Sequence, residues 1–139
     1  MALPKQLEIL LIDDNPADVR MTQLALKEAG IAHRLHVAAT GEQGLMFLLQ
    51  DGEYASVPRP DVVLLDLKLP KANGFGVLAA MRSHRKMKDL VVVVFTGSSL
   101  HQDAAQSYRS DANLFLTKPI GLEAYVAAMK HVCNLVPPQ

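Results

Sequence analysis

The sequence Val62-Val63-Leu64-Leu65-Asp66 places four consecutive apolar residues directly before a carboxylate. A short, continuous apolar run of this kind is typical of a strand that is covered on both faces of a parallel sheet. Four similar runs lie at residues 9–12, 35–38, 90–95 and 114–116. Three of the five runs end at a polar residue, namely Asp13, Asp66 or Thr96. Polar side chains at several strand ends indicate a functional site at that edge of a sheet.

Helix signals lie between these runs. Asn15-Pro16 combines a helix-capping residue with a proline suited to the first turn, and Gly30 is a helix stop signal. The clearest helix is the last, whose apolar residues recur at helical spacing: Leu122, Tyr125, Val126, Met129, Val132 and Cys133. Weaker patterns predict a second helix at Leu45, Leu48 and Leu49, a third at Leu78 and Met81, and a fourth over residues 98–110. The predicted order of elements is (βα)5.

This alternation predicts a doubly wound α/β fold, in which right-handed crossovers join a five-stranded parallel sheet with helices on both faces. Residues 1–139 are expected to form a single domain with its core at about residues 7–134. We interpret residues 50–60 as a long loop between the second helix and the third strand. The tail Val136-Pro137-Pro138-Gln139 cannot continue the last helix, so we expect no output domain after it. Ligands of such sheets bind beyond the carboxyl ends of the strands.

The composition argues against several classes of function. Half of the 139 residues are hydrophobic, and 14 basic residues balance 14 acidic ones, so no overall charge attracts nucleic acid or an anionic membrane. No stretch approaches the roughly 20 apolar residues of a membrane span. The single cysteine, Cys133, cannot form an internal disulfide, and the five histidines lack the spacing of a zinc site. We therefore expect a soluble, cytoplasmic protein.

The polar residues at the strand ends form a chemically specific set. Asp13 and Asp14 follow the first predicted strand, Asp66 ends the third, Thr96 ends the fourth and Lys118 follows the fifth. Three crowded carboxylates require a cation, and hard oxygen ligands favour Mg²⁺. With the metal bound, Asp66 can attack a phosphorus centre while Lys118 and the Thr96 hydroxyl stabilise charge on the transferring oxygens. The predicted product is an acyl phosphate.

Four segments carry a family resemblance: Leu11-Ile12-Asp13-Asp14-Asn15-Pro16, Leu64-Leu65-Asp66-Leu67-Lys68-Leu69-Pro70 followed by Gly74, Phe95-Thr96-Gly97, and Leu116-Thr117-Lys118-Pro119. Together with their spacing, they resemble the receiver domain of bacterial two-component response regulators, which has a flavodoxin-like fold. The resemblance covers nearly the whole chain. In its Asp-Asn-Pro-Ala-Asp segment at residues 14–18 and in its long loop, the chain most resembles the single-domain regulators that partner phytochrome-type histidine kinases.

The resemblance implies a role for each site residue. Asp66 would be the phosphoacceptor, and Mg²⁺ would be held by Asp13, partly through water, by Asp14 and Asp66, and by the backbone carbonyl of Lys68. Thr96 would be the switch hydroxyl, Lys118 would pair with Asp66 or its phosphoryl group, Phe115 would turn inward on switching, and the peptide bond before Pro119 would be cis. The chain departs from the usual pattern at Lys68, where an uncharged or acidic residue is more common, and at Asp111, where glycine is common.

The same resemblance implies the partners. We expect a histidine kinase, with a bacterial phytochrome as a candidate, and a homodimer through the fourth helix, fifth strand and fifth helix, where Tyr108 and Phe115 lie. Nucleic acid and membrane partners are not expected. The signal would pass by protein contacts or by phosphorelay, and the chain would be no enzyme beyond its own phosphorylation and dephosphorylation.

Two other functions compete with this interpretation. Phosphatases of the haloacid dehalogenase type share a strand-end aspartate nucleophile and Mg²⁺, but they need a second aspartate two residues later, where this chain has Lys68. A degenerate receiver that acts only as a scaffold is disfavoured because Asp14, Asp66, Thr96 and Lys118 are all present. Taken alone, Asp13-Asp14 before a proline is more often a helix cap than a metal site.

Overall fold

The computed structural model describes residues 6–70, 72–97 and 101–136. Its main sheet contains β1 (Leu7–Ile12), β2 (His33–Ala38), β3 (Val62–Leu65), β4 (Val91–Thr96) and β5 (Leu114–Thr117). The helices are α1 (Pro16–Glu28), α2 (Gly41–Leu49), α3 (Gly74–Ser83), α4 (His101–Arg109) and α5 (Leu122–Cys133). The predicted alternation of strands and helices is confirmed. The predicted first residue of the fourth helix, Ser98, lies outside the described residues.

All neighbouring strands of the main sheet are parallel, in the order β2-β1-β3-β4-β5. The chain therefore runs outward from β1 to β2 and then returns past β1 to β3. At the carboxyl edge, Ile12 of β1 lies between Ala38 of β2 and Leu65 of β3. This register confirms the doubly wound fold and brings the ends of β1 and β3 side by side.

The core has one apolar layer on each face of the sheet. Val62 and Leu64 point into the layer under α1 and α5, whereas Val63 and Leu65 point into the layer under α2 and α3. All four side chains are completely buried. A strand covered on both faces cannot alternate apolar and polar residues, which is why β3 is a continuous apolar run. Each such side chain contributes about 1.5–3 kcal/mol to stability through burial.

Side-chain caps begin the helices next to the carboxyl edge of the sheet. The Asn15 carboxamide oxygen accepts hydrogen bonds from the backbone N–H groups of Ala17 and Asp18, at 2.9 and 3.1 Å. Asn73 begins α3 in the same way, with the N–H of Phe75 at 2.8 Å. These caps satisfy backbone donors that have no partner within the helix. They also direct the first turns of α1 and α3 toward the strand ends.

Some features of the fold were not predicted. A small antiparallel hairpin, Lys68–Leu69 with Ala72–Asn73, lies between β3 and α3. The loop of residues 50–60 contains a 3-10 turn, Gly52–Tyr54, whose tyrosine ring packs 5.6 Å from the ring of Phe47. Asp111 adopts a φ of 65°, a left-handed conformation that Asp tolerates better than most residues and that explains how it replaces glycine. Among the described residues, none of the helices has the length and the apolar composition of a membrane span.

Candidate functional site

The parallel register brings the predicted site residues to one edge of the sheet. Asp13 and Asp14 directly follow β1, and Asp66 directly follows β3. Thr96 is the last residue of β4, and it pairs with Thr117, the residue before Lys118. The sequence prediction of a shared site at the strand ends is therefore matched by the positions of all five residues.

The carboxylates form a compact cluster. One oxygen each of Asp13, Asp14 and Asp66 lies within 4.8 Å of the others. Asp13 and Asp66 are buried, whereas Asp14 is exposed and leaves the cluster open to solvent on one side. Burial raises the pKa of Asp13, and the hydrogen bond from Lys118 opposes that shift only in part. An open cluster of oxygen donors with uncompensated negative charge fits a hard divalent cation.

The Lys118 ammonium lies at the centre of this charge. Its Nζ donates to Asp13 Oδ2 at 2.7 Å, to Asp18 Oδ2 at 2.8 Å and to Asp66 Oδ2 at 3.0 Å. Burial alone lowers the pKa of Lys118, but the hydrogen bonds to Asp13 and Asp18 and the charges of Asp13 and Asp66 outweigh it, so the net shift is upward. Lys118 is therefore protonated throughout the physiological range. One ammonium faces several carboxylates, so the site keeps a net negative charge.

Backbone contacts orient the buried carboxylates. Asp13 Oδ1 accepts the N–H of Asn15 at 2.9 Å, and Asp66 Oδ1 accepts the N–H of Lys68 at 3.2 Å. Gly74 lies against the backbone that carries Asp66, because a Cβ at Gly74 would be 2.6 Å from the Asp66 carbonyl oxygen. The Gly74 N–H also donates to the Leu67 carbonyl at 3.0 Å. The start of α3 therefore fixes the position of the Asp66 main chain.

Thr96 is fully buried, and its hydroxyl has an unused hydrogen-bonding capacity. Among the described residues, Thr96 Oγ1 is the buried side-chain oxygen without a hydrogen-bond partner. Its carbonyl accepts the N–H of Lys118 at 2.6 Å, so β4 is tied to the lysine through the main chain. A buried hydroxyl without a partner costs about 1–3 kcal/mol, which an anionic oxygen arriving at the site could recover.

Phe115 and Tyr108 lie on the α4–β5 side of the sheet, as the sequence prediction required. Phe115 is half-buried and packs against the apolar layer under α2 and α3. Its backbone N–H donates to the Tyr108 hydroxyl at 3.2 Å, and the Tyr108 side chain remains exposed. The main chain of β5 is therefore linked to α4 next to Phe115.

The structure also describes Pro119 and Lys68, two residues for which the sequence analysis made predictions. The Lys118–Pro119 peptide bond is trans, so the expected cis bond is wrong for this structure. The trans isomer of an X–Pro bond is favoured by about 0.5–1 kcal/mol, and the next side chain, Ile120, is 97% exposed and supplies no packing that would reverse this preference. Lys68 has an exposed side chain, and its backbone N–H rather than its carbonyl contacts Asp66 in this structure.

Sequence reasoning missed Asp18. Its carboxylate contacts Lys118, a residue 100 positions away in sequence. Burial, followed by the charge of Asp18, raises the pKa of Tyr125 to about 12. Asp18 is the third residue of α1, where an acid is normally explained by the helix dipole. The sequence therefore offered an ordinary helical reason for an acid that belongs to the site.

The fold and the site define a phosphoacceptor receiver of two-component signalling. The chain belongs to the response regulator receiver domain family, whose model matches residues 9–130. It is 42% identical over 115 residues to the response regulator Rcp1 of Synechocystis. The aligned region covers 83% of this chain and 78% of that protein.

Two solved structures extend the comparison. The phosphorylated cyanobacterial phytochrome response regulator RcpA matches with a TM-score of 0.87 and 35% identity, over 95% of this chain and 94% of that chain. The Mn²⁺-bound form of Rcp1 matches with a TM-score of 0.84 and 36% identity, over 97% of this chain and 100% of that chain. The similarity therefore includes the whole receiver fold, and the resemblance to phytochrome-associated regulators inferred from the sequence is confirmed.

Proposed function

We propose that Asp66 accepts a phosphoryl group from a phosphohistidine of a histidine kinase, with Mg²⁺ held by Asp13, Asp14, Asp66 and the Lys68 carbonyl. The observation that carries the proposal is the meeting of three carboxylates with the Lys118 ammonium at the carboxyl edge of the sheet. When bound, the metal would neutralise charge on the transferring phosphoryl oxygens. The open side of the cluster at exposed Asp14 supports access for both the cation and the donor.

The chemical step requires an ionised Asp66 carboxylate. One of its oxygens attacks phosphorus, the P–O bond forms as the P–N bond to the donor imidazole breaks, and that imidazole keeps the electron pair and takes up a proton. Lys118 supplies a positive charge 3.0 Å from Asp66 Oδ2, close enough to stabilise negative charge on a phosphoryl oxygen. The product is an aspartyl phosphate.

Thr96 and Phe115 are proposed to convert this product into a change of shape. The unpaired Thr96 hydroxyl is suited to donate to a phosphoryl oxygen, which would draw the end of β4 toward Asp66. Space left by the moving threonine would be filled by Phe115, which already packs on the core at one side. The Tyr108 contact to the Phe115 main chain would transmit that movement to α4.

The named relatives support the proposed kinase partner. RcpA is a cyanobacterial phytochrome response regulator, and another similar structure, at 33% identity and a TM-score of 0.78, is the bacteriophytochrome response regulator RtBRR. We propose a phytochrome-type histidine kinase as the phosphoryl donor, and a homodimer through α4, β5 and α5. The chain would act through protein contacts or phosphorelay in the cytoplasm, and not through DNA or membrane binding.

We further propose that the chain is a switch and not a phosphatase acting on other substrates. A phosphatase of the haloacid dehalogenase type needs an acid two residues after the nucleophile. The residue there is Lys68, whose exposed ammonium cannot take that role.

Intact-mass measurement after incubation with acetyl phosphate and Mg²⁺ tests the proposal. A gain of one phosphoryl group that requires Mg²⁺ supports the switch, and Asp66→Asn is the matched variant that should not gain it. Rapid turnover of phosphate esters would support the phosphatase instead, and the absence of any reaction would support a scaffold.

A further inference from the structure

The Lys118 ammonium has three N–H donors, and each is directed to a different carboxylate. Asp13 and Asp66 belong to the acidic cluster, but the third partner, Asp18, comes from α1 and lies outside it. The Asp18 contact, at 2.8 Å, is shorter than the Asp66 contact, at 3.0 Å. Asp18 therefore shares the Lys118 ammonium with Asp66.

The cap of α1 holds the main chain of Asp18 in this position. The Asn15 cap fixes the backbone of the first turn of α1, because its side chain accepts the Asp18 N–H at 3.1 Å. Burial and the charge of Asp18 both raise the pKa of Tyr125 in α5, so Tyr125 lies near the Asp18 carboxylate. The Tyr125 ring is buried edge-on against Phe95, at a centroid distance of 5.6 Å. An acid that served only the helix dipole would not need the contact with Lys118.

The charge of Asp18 acts with opposite sign on two events at the site. A cation entering the acidic cluster is repelled by Lys118, and Asp18 offsets that repulsion. A phosphoryl group at Asp66 is anionic and is attracted by Lys118, and Asp18 weakens that attraction. The same carboxylate therefore favours metal binding and disfavours phosphoryl binding.

We propose that Asp18 is a positioning residue that divides the Lys118 ammonium between the unmodified acidic cluster and the phosphoryl group. In the unmodified protein it neutralises Lys118 and so aids cation binding. During phosphorylation it holds the ammonium back, which slows the reaction at saturating metal. This inference rests on the proposed function of Asp66 as the phosphoacceptor.

The variant Asp18→Asn tests the inference because it keeps the shape and removes the charge. We expect the Kd for Mg²⁺, measured by titration calorimetry without a phosphoryl donor, to rise about threefold or more. We expect the rate of phosphorylation by acetyl phosphate at saturating Mg²⁺ to rise by a similar factor. Simple damage to the site would weaken metal binding and also slow phosphorylation. Weaker metal binding together with faster phosphorylation therefore distinguishes the proposed role from damage.

Glu42→Gln is the matched control. Glu42 lies in the first turn of α2, so this change also removes an acid from the start of a helix near the same edge of the sheet. It should leave both the Kd for Mg²⁺ and the phosphorylation rate unchanged. Any change shared by the two variants would reflect net charge and not the contact with Lys118.

Asp18→Ala provides a second variant, because it removes the carboxylate without leaving an amide beside Lys118. It should raise the Kd for Mg²⁺ and speed phosphorylation, as Asp18→Asn should. An unchanged or slower phosphorylation rate in Asp18→Ala would overturn the inference, as would an Asp18→Asn protein with the parent's Kd for Mg²⁺. If the parent protein itself accepts no phosphoryl group, the proposed function fails, and the Mg²⁺ titration alone still decides the role of Asp18.

Discussion

Gly74→Ala should disturb the phosphoacceptor site by displacing the main chain of Asp66. The new Cβ would lie 2.6 Å from both the Asp66 carbonyl oxygen and the Leu67 Cα, whereas ordinary contacts begin at 3.4 Å. The backbone at Gly74 and the backbone of Asp66 and Leu67 must therefore separate by about 0.8 Å. Both contact atoms belong to the main chain, so no flexible side chain can move aside instead. Overpacking of this kind costs about 1–3 kcal/mol of the free energy of unfolding. The same displacement moves the main chain that carries the Asp66 carboxylate.

The functional effect should exceed the effect on stability. A displacement of about 1 Å in a positioned reactive group can cost on the order of 100-fold in rate, so we expect phosphorylation by acetyl phosphate to slow at least about tenfold. Urea denaturation followed by circular dichroism measures the free energy of unfolding, and intact mass against time measures the phosphorylation rate.

Gly76→Ala is the control within the same helix. A Cβ at Gly76 meets no atom within 4 Å, and alanine is favoured over glycine in a helix by up to about 1 kcal/mol. This variant should be slightly more stable than the parent and should be phosphorylated at the parent's rate. If Gly74→Ala matched Gly76→Ala in both measurements, the argument from close backbone contact would be wrong.

Four other changes test the site. Asp66→Asn should keep the fold but lose covalent phosphorylation, because the amide is not a nucleophile; phosphate still detected by mass would mean that another residue is the acceptor. Asp14→Ala should weaken Mg²⁺ binding about tenfold or more in a calorimetric titration, because loss of a direct metal ligand should cost at least as much affinity as loss of a residue that only contacts a ligand. Unchanged affinity would argue against the proposed metal site. Lys68→Ala should shorten the lifetime of the phosphorylated protein, because the exposed ammonium can cover the approach of water to Asp66; decay of radiolabelled protein at the parent's rate or slower would refute this. Because burial raises the pKa of Asp13, protons should compete with Mg²⁺ at that carboxylate as the pH falls. The affinity for Mg²⁺ should therefore decrease more steeply with falling pH in the parent than in Asp13→Asn, and equal slopes would contradict the assignment.

The fold could be predicted from the sequence because its signals are local. β3 is apolar at every position since both of its faces are covered, and a continuous run of this kind is visible without any knowledge of its neighbours. Asn15 and Gly30 mark the two ends of α1 through caps that involve only nearby backbone groups. The described residues of α4 are mostly polar, and this helix was predicted from the cap residue Ser98 at its start.

The candidate site could also be predicted in outline, because parallel strands place their carboxyl ends at one edge. This topological rule was sufficient to bring Asp13, Asp66, Thr96 and Lys118 together before any distance was known. The rule does not determine which atoms touch. It could not show that Lys118 contacts three carboxylates, or that the Thr96 hydroxyl has no partner among the described residues.

By itself, the sequence determined the order of strands and helices, the α/β class and the residues at the strand ends, since each depends on a pattern within one short segment. Only the tertiary structure decided that Asp18 belongs to the site, that Gly74 lies against the backbone of Asp66, and that the bond before Pro119 is trans. Those features depend on how far a side chain reaches and how closely two backbones approach. Such distances are set by the packing of α1, α3 and α5 against the sheet, which no single segment encodes.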